Sequence, residues 1–253
     1  MKTDNQPREP TEAELRTKKH LSEMWPLRNP VKYEDEETLY THIRLFLETF
    51  WDPPDERYYD VLASTILFSY RIRQFNTTPY PFLFGPKGCG KSRALDLLRV
   101  LCYNPIMSSS LTPASIYQAI NAWHPTLLID ETDKWGMGTK SGPTEQTLAV
   151  LQVLNAGYRR GAYILRASRE TGDPIIYDTF GLSVIAGTEP LPETLMDRCI
   201  VLRMEKNVKD IPLTIDETVS TIAELKGQLE MYYSIYSMGK SAEGNPSLRD
   251  YQV

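Results

Sequence analysis

The feature that most constrains this chain is a glycine-rich segment ending in lysine and serine, Gly85-Pro86-Lys87-Gly88-Cys89-Gly90-Lys91-Ser92. Its spacing, G-x-x-x-x-G-K-S, is typical of a loop that cradles phosphates. The glycines permit backbone angles and a close approach that a side chain would forbid, so that successive N–H groups can surround one anion. We expect Lys91 to reach the β- and γ-phosphates of a nucleotide, and the Ser92 hydroxyl to bind Mg²⁺.

The residues on either side of this loop fit a strand before it and a helix after it. Residues 80–84 are apolar and aromatic, as in a buried strand. Residues 93–101 are good helix formers with an apolar stripe, which places the loop at a helix N-terminus, where the helix dipole favours an anion. We expect Arg93, directly after the motif, to belong to the same nucleotide site. A chance match in a glycine-rich turn is the competing interpretation, and these flanks argue against it.

Further along the chain, two carboxylates directly follow an apolar run. Residues 126–129 have the character of a buried strand, and Asp130 and Glu131 come at its carboxyl end. We expect Asp130 to hold Mg²⁺ through water, and Glu131 to polarise the water that attacks the γ-phosphate. A pair of acids after a strand is common by itself. Behind a phosphate loop, it indicates a site for ATP and Mg²⁺.

Composition limits the remaining possibilities only loosely. The 253 residues are enough for one large α/β domain with helical additions, or for two small domains. The net charge of −5 does not indicate nucleic-acid binding, but it is compatible with a basic surface on one side of the molecule. No apolar run approaches the roughly 20 residues that span a bilayer, and no signal peptide opens the chain. We therefore expect no membrane partner and a cytoplasmic, intracellular location.

The pattern along the chain predicts a nucleotide-binding core with helices at both ends. Residues 1–36 are polar, which suits a flexible segment, although Thr11–Glu14 equally suits a capping box that opens a short helix. Residues 37–78 carry apolar side chains at helical spacing and predict an N-terminal helical layer. Residues 79–206 form the predicted core. Residues 207–253 predict an amphipathic helix followed by a loose tail.

Within the core, alternating strand and helix signals favour a mainly parallel, five-stranded sheet with helices on its faces. The expected strands are residues 80–84, 105–109, 126–129, 181–187 and 200–204, and the expected helices are residues 93–101, 112–123, 145–158 and a short one at 192–198. Residues 162–166 and 174–177 predict a hairpin around a polar turn. Residues 136–143, with three glycines and a proline, predict a loop.

Residues 56–206 resemble the AAA+-type ATPases. Within these, the chain is most similar to the helicase-like ATPase domains of plasmid, phage and virus replication proteins, a superfamily-three-like group often fused to primases. The stretches that carry the resemblance are Thr78–Tyr80 with the phosphate loop, Leu128–Glu131, Leu154–Gly161, Ile185–Gly187 and Leu191–Val201. The resemblance implies a three-layer P-loop NTPase sandwich with a β-hairpin inserted before the strand that senses the γ-phosphate.

The resemblance also implies roles for two residues near the end of the core. Thr188 matches the sensor position that detects the γ-phosphate, where the group often has asparagine. Arg198 matches the arginine finger, which enters the site of the neighbouring subunit and offsets charge on the transferring phosphoryl group. An ion pair within the chain is the alternative for Arg198.

The predicted hairpin matches one that grips DNA in helicase-like members of the group. On this basis Arg166 and Arg169, with Arg159 and Arg160 close by, are the candidate contacts to DNA phosphates. A solvated hairpin with ordinary surface arginines is the alternative, because acidic residues share the turn.

The sequence therefore predicts an oligomeric, Mg²⁺-dependent ATPase that couples hydrolysis to binding, translocation or unwinding of DNA, in the replication of a virus, phage or plasmid. The expected partners are DNA, further copies in a ring, expected to be a hexamer, and a primase or other replication proteins. One alternative is an ATP-dependent switch or assembly protein without helicase activity. A small-molecule kinase is the other, and the Asp130-Glu131 pair, which suits attack by water, argues against it.

Overall fold

The computed structural model describes residues 11–26, 28–135, 142–168, 172–206, 208–212, 214–216 and 220–238. Most of the loop expected at 136–143 and the tail expected from residue 240 lie outside the described residues. Among the described helices, none is both long enough and apolar enough to cross a membrane.

A parallel sheet of five strands forms the centre of the molecule. The described part of the chain has seven strands in all: β1 (Tyr80–Phe84), β2 (Pro105–Ser108), β3 (Thr126–Ile129), β4 (Tyr163–Ala167), β5 (Pro174–Asp178), β6 (Ser183–Gly187) and β7 (Cys199–Arg203). The sheet has the order β2-β3-β6-β1-β7 with every pair parallel. The strands β4 and β5 form a separate antiparallel hairpin. The predicted α/β sandwich, with its parallel five-stranded sheet and a hairpin before β6, is confirmed.

Helices cover both faces of the sheet. The α-helices of the described residues are α1 (Glu12–Met24), α2 (Glu36–Phe50), α3 (Arg57–Arg71), α4 (Lys91–Leu101), α5 (Pro113–Trp123), α6 (Glu145–Gly157), α7 (Glu193–Met196) and α8 (Ser220–Met238). Local signals define several of their starts. Asp35 caps α2 by accepting from the Thr38 N–H, and Thr112 caps α5 ahead of a proline in its first turn. Of the two alternatives left open for the N-terminal segment, a helix forms over Glu12–Met24.

Two hydrophobic clusters fill the space between the helices and the sheet. Side chains alternate between the faces of a strand, so within β3 Leu128 joins one cluster while Leu127 and Ile129 join the other. The first cluster contains residues of α2, α3, α4 and α8, and the second contains residues of α5, α6 and α7. Strands buried on both faces read as continuous apolar runs, which is why the core strands were recognisable from sequence.

Candidate functional site

The glycine-rich loop connects β1 to α4 at the carboxyl edge of the sheet. Gly88 and Gly90 have φ angles of 75° and 83°, in the left-handed region that glycine enters without steric cost. Gly90 is the N-cap of α4. The N–H groups of the first turn of α4 lack intrahelical acceptors, so the loop and the helix start offer backbone donors to one anion.

Lys91 is folded back over this loop. Its side chain is 8% exposed, and Nζ donates to the carbonyl oxygens of Gly85 and Pro86, both at 2.7 Å. The same Nζ lies 3.7 Å from Cys89 Sγ. A phosphate oxygen is a stronger acceptor for an ammonium group than a neutral carbonyl, so Lys91 can exchange these carbonyls for a nucleotide phosphate without leaving the loop.

The acidic pair meets the loop from a strand that is not its neighbour. Ser92 Oγ donates to Asp130 Oδ2 at 3.0 Å, although the two residues are 38 positions apart and β6 separates β3 from β1. A hydroxyl and a carboxylate are oxygen ligands of the kind that Mg²⁺ takes, usually with several waters retained. The chemistry of this donor pair therefore fits a magnesium ion.

Glu131 adopts an unusual backbone conformation beside Asp130. Its φ angle is 60°, in the left-handed region, and its N–H donates to Asp130 Oδ1 at 2.8 Å. Asp130 thus uses one carboxylate oxygen for Ser92 and the other for Glu131. A left-handed residue other than glycine is sterically costly, and such residues cluster at functional sites. The Glu131 side chain is exposed, as a group that meets water must be.

Thr188 lies at the same edge of the sheet. The strand β6 ends at Gly187, whose carbonyl accepts the Gly85 N–H at 3.2 Å, so β6 ends directly beside the phosphate loop. Thr188 is the next residue and is half-buried. The structure therefore brings the expected sensor residue to the edge that also carries the loop and the acidic pair.

Arg93 is engaged beside the loop rather than over it. Its Nε donates to the Phe50 carbonyl at 2.9 Å, and another guanidinium nitrogen donates to the Pro212 carbonyl. These bonds join the start of α4 to the end of α2 and to the chain after β7. A contact between Arg93 and a nucleotide would thus involve its backbone N–H in the first turn of α4.

Arg198 lies at the opposite edge of the sheet. Its carbonyl accepts the Tyr80 N–H at 2.9 Å, whereas the phosphate loop follows Phe84 at the other end of β1. A strand of this length separates the two ends by about 13 Å. Arg198 therefore lies too far from the glycine-rich loop to act on a group bound there in its own chain.

The Arg198 side chain lies against an aromatic ring. Its guanidinium carbon lies 4.5 Å from the centroid of the Tyr158 ring, and its buried Nε has no acceptor among the described residues. Within the described part of the chain, Arg198 forms no ion pair with an acid. Tyr158 was not singled out by the sequence, although it lies in one of the stretches that carry the resemblance.

The described arginines around the hairpin have different surroundings. Arg160 donates to the carbonyls of Phe75 and Arg73 at 3.1 and 2.7 Å, and Arg159 is exposed and pairs with Thr77 in an isolated bridge. Arg166 is exposed and lies over the Tyr117 ring at 5.8 Å. Arg169 lies outside the described residues.

The outward face of the hairpin is apolar. Tyr163, Leu165 and Ile176 are 59%, 64% and 62% exposed, and Leu165 pairs with Ile176 across the hairpin. Ile164 and Tyr177 occupy the alternate positions and pack against the cluster under α5 and α6. The alternation of a strand thus divides the hairpin into a packed face and an exposed apolar face.

Comparison with known proteins identifies no family for this chain. No protein-family model matches it, and no curated protein matches it significantly. Among the solved structures that match are PCH-2 from C. elegans, with 14% identity and a TM-score of 0.41, and the JCV helicase, with 12% identity and a TM-score of 0.41. Each match covers 66% of this chain, and 47% and 45%, respectively, of the other chain. The match thus spans less than half of either solved chain.

Proposed function

We propose that this chain is a Mg²⁺-dependent ATPase in which water is the acceptor of the phosphoryl group. The observation that supports this most strongly is the hydrogen bond between Ser92 and Asp130, with Glu131 next to them. It joins a loop built for phosphates, a donor set suited to Mg²⁺ and a carboxylate able to take a proton from water.

Each group has a distinct task in this proposal. The backbone N–H groups of the loop and of the first turn of α4 bind the β-phosphate. Lys91 exchanges its bonds to Gly85 and Pro86 for bonds to the β- and γ-phosphates. Ser92 and Asp130 hold Mg²⁺, which when bound offsets the charge of the phosphate oxygens. Glu131 orients the attacking water and accepts its proton, while Thr188 contacts the γ-phosphate.

Release of inorganic phosphate from ATP and Mg²⁺, with no acceptor added, tests this proposal. The variant Glu131→Gln is expected to bind ATP with normal affinity and to hydrolyse it about 100-fold more slowly or worse, because it lacks the general base. Glu189→Gln is the matched control, since Glu189 is an exposed acid that follows Thr188. If the wild-type chain converts ATP to ADP only when a small-molecule acceptor is present, and the phosphoryl group ends on that acceptor rather than as free phosphate, it is a kinase. Absence of any turnover refutes the proposal.

We also propose that the chain works as a homo-oligomer, with Arg198 acting in the site of a neighbouring copy. The position of Arg198, at the end of β1 away from the glycine-rich loop, supports a contact outside its own chain. Two further parts of this proposal rest on the resemblance alone. One is a ring, expected to be a hexamer. The other is a role on DNA beside a primase or other replication proteins of a virus, phage or plasmid. Sedimentation with a non-hydrolysable ATP analogue tests the assembly, and strand displacement tests the action on DNA.

A switch or assembly protein without helicase activity is the second candidate. Two observations favour it. The Arg160 guanidinium is bonded to backbone carbonyls of its own chain rather than directed at a ligand, and the outward face of the hairpin is apolar, which suits a protein partner better than phosphates. A DNA translocase is expected to bind single strands with an affinity that falls steeply with salt. ATP-dependent assembly without such binding or strand displacement would favour the switch.

A further inference from the structure

Thr132, directly after the acidic pair, joins the end of β3 to the end of β6. It begins a short 3₁₀ turn, Thr132–Trp135, and it is 2% exposed. Its Oγ1 donates to the Ala186 carbonyl at 3.2 Å. A buried hydroxyl bonded to the backbone of a neighbouring strand holds the turn that begins at Thr132 in a defined place.

Gly187 makes room for this contact. A Cβ atom built on Gly187 would overlap the Thr132 hydroxyl, so the two residues fit only because one of them has no side chain. The carbonyl of Gly187 also accepts the Gly85 N–H at 3.2 Å. A continuous set of contacts therefore runs from the phosphate loop through the end of β6 to Thr132.

Glu131 is held from both sides. Its own N–H is bonded to Asp130 Oδ1, and the residue that follows it is anchored through the Thr132 hydroxyl. Its left-handed conformation, with φ at 60°, persists only where the surroundings hold it there. If the anchor at Thr132 is lost, the turn can relax to an ordinary backbone angle, and the Glu131 carboxylate changes its direction relative to Asp130.

We propose that Thr132 is a positioning residue for hydrolysis, and this proposal rests on the proposed ATPase function. Its hydroxyl holds Glu131 in place for the attacking water and couples the acidic pair to β6, next to Thr188. Thr132 contacts neither the nucleotide nor the water. Its loss therefore lowers kcat and leaves the affinity for ATP unchanged.

The test compares the same substitution at the two ends of β3. Thr126 is also 2% exposed, and its Oγ1 donates to the Tyr103 carbonyl at 2.8 Å, but it lies at the edge away from the site. Thr132→Val and Thr126→Val each remove one buried hydroxyl bonded to a carbonyl. We expect Thr132→Val to lower kcat about fivefold to tenfold. The loss of one such hydrogen bond lowers the population of molecules in which Glu131 is correctly placed by about this factor. Thr126→Val should keep the wild-type kcat, and Thr132→Ser, which keeps the hydroxyl, should restore most of it.

Both variants are measured for phosphate release, for affinity towards a fluorescent ATP analogue and for thermal unfolding. Equal kcat for Thr132→Val and Thr126→Val, while the wild type is active, overturns the role of Thr132 alone. Absence of hydrolysis by the wild type overturns the ATPase proposal and this one together. If Thr132→Val does not fold because a methyl group crowds Gly187, Thr132→Ala removes the hydroxyl without adding an atom and is judged by the same criteria.

Discussion

Glu131 offers a direct test of the left-handed turn at the candidate site. Replacing Glu131 by glycine or by alanine removes the same carboxylate, but only glycine accepts a φ angle of 60° without a steric penalty. The penalty for a residue with a Cβ atom is about 1–2 kcal/mol. Glycine loses part of this advantage, roughly 0.4–1 kcal/mol, because it has more freedom in the unfolded chain. We therefore expect Glu131→Gly to be more stable than Glu131→Ala by about 0.5–1 kcal/mol.

Thermal unfolding resolves a difference of this size. For a chain of this length, about 1 kcal/mol corresponds to a shift of roughly 2–4 °C in Tm, so Glu131→Gly should melt about 1–4 °C above Glu131→Ala. Neither variant should hydrolyse ATP at a rate near that of the wild type, because both lack the carboxylate. The comparison thus separates the conformational cost of Glu131 from its chemical role.

Gln118 provides the matched control with the opposite sign. It is exposed in the interior of α5, where glycine is about 1 kcal/mol less favourable than alanine. Gln118→Gly should therefore melt below Gln118→Ala, whereas Glu131→Gly should melt above Glu131→Ala. If glycine is the less stable replacement at both positions, Glu131 does not hold a left-handed conformation in solution, and the argument for a strained turn fails.

The remaining predictions concern the phosphate loop, the far edge of the sheet and one half-buried histidine. Lys91→Ala should abolish tight binding of ATP in equilibrium titrations, and normal affinity would contradict the assignment of the loop. Arg198→Ala should lower ATP turnover about 100-fold or more and should inhibit wild-type subunits in mixtures, while simple dilution of activity would argue against action in a neighbouring site. Tyr158→Leu should lower turnover about fivefold by removing the ring under Arg198, and Tyr158→Phe, which keeps the ring, should not. Burial, followed by the nearby Arg73, lowers the pKa of His124 to about 4, from an ordinary value of 6.5. As the pH falls, the unfolded chain therefore takes up a proton on this ring at a higher pH than the folded chain does. The stability that the neutral ring contributes is fully present above pH 6.5 and is lost as the pH falls towards 4. Asparagine tolerates the left-handed angle of residue 124, so His124→Asn should fold. Over this pH range its free energy of unfolding, measured by urea titration, should fall by roughly 3 kcal/mol less than that of the wild type. If the two curves of unfolding free energy against pH are parallel, burial does not lower the pKa of His124.

The helices and strands of the core followed from patterns that act over a few residues. The apolar runs at β1, β3 and β6 indicated strands buried on both faces, and Thr112 with Pro113 indicated the start of α5. The spacing of glycine, lysine and serine in residues 85–92 likewise predicted a loop between a strand and a helix. These signals are local because backbone angles, caps and the side-chain period depend mainly on neighbouring residues.

The contacts that build the candidate site depend on the order of the strands. The bond between Ser92 and Asp130 exists because β6 lies between β1 and β3 and brings their carboxyl ends to one edge. The sequence does not predict the contact of Thr132, because a threonine after two acids becomes significant only when Ala186 lies beside it. The sequence contained a signal for the acids, but none for their anchor.

Residue patterns alone were sufficient for the kind of fold, for a glycine-rich loop between a strand and a helix, and for two acids after a buried strand, because each depends on chemistry within a short stretch of chain. Only the packed structure decided that Arg198 lies at the edge opposite the loop, that α8 joins α2 and α3 in one cluster, and that Glu131 is held in a left-handed turn. These features arise when residues that are distant in sequence pack together and exclude water. No local sequence pattern indicates which of these residues will come into contact.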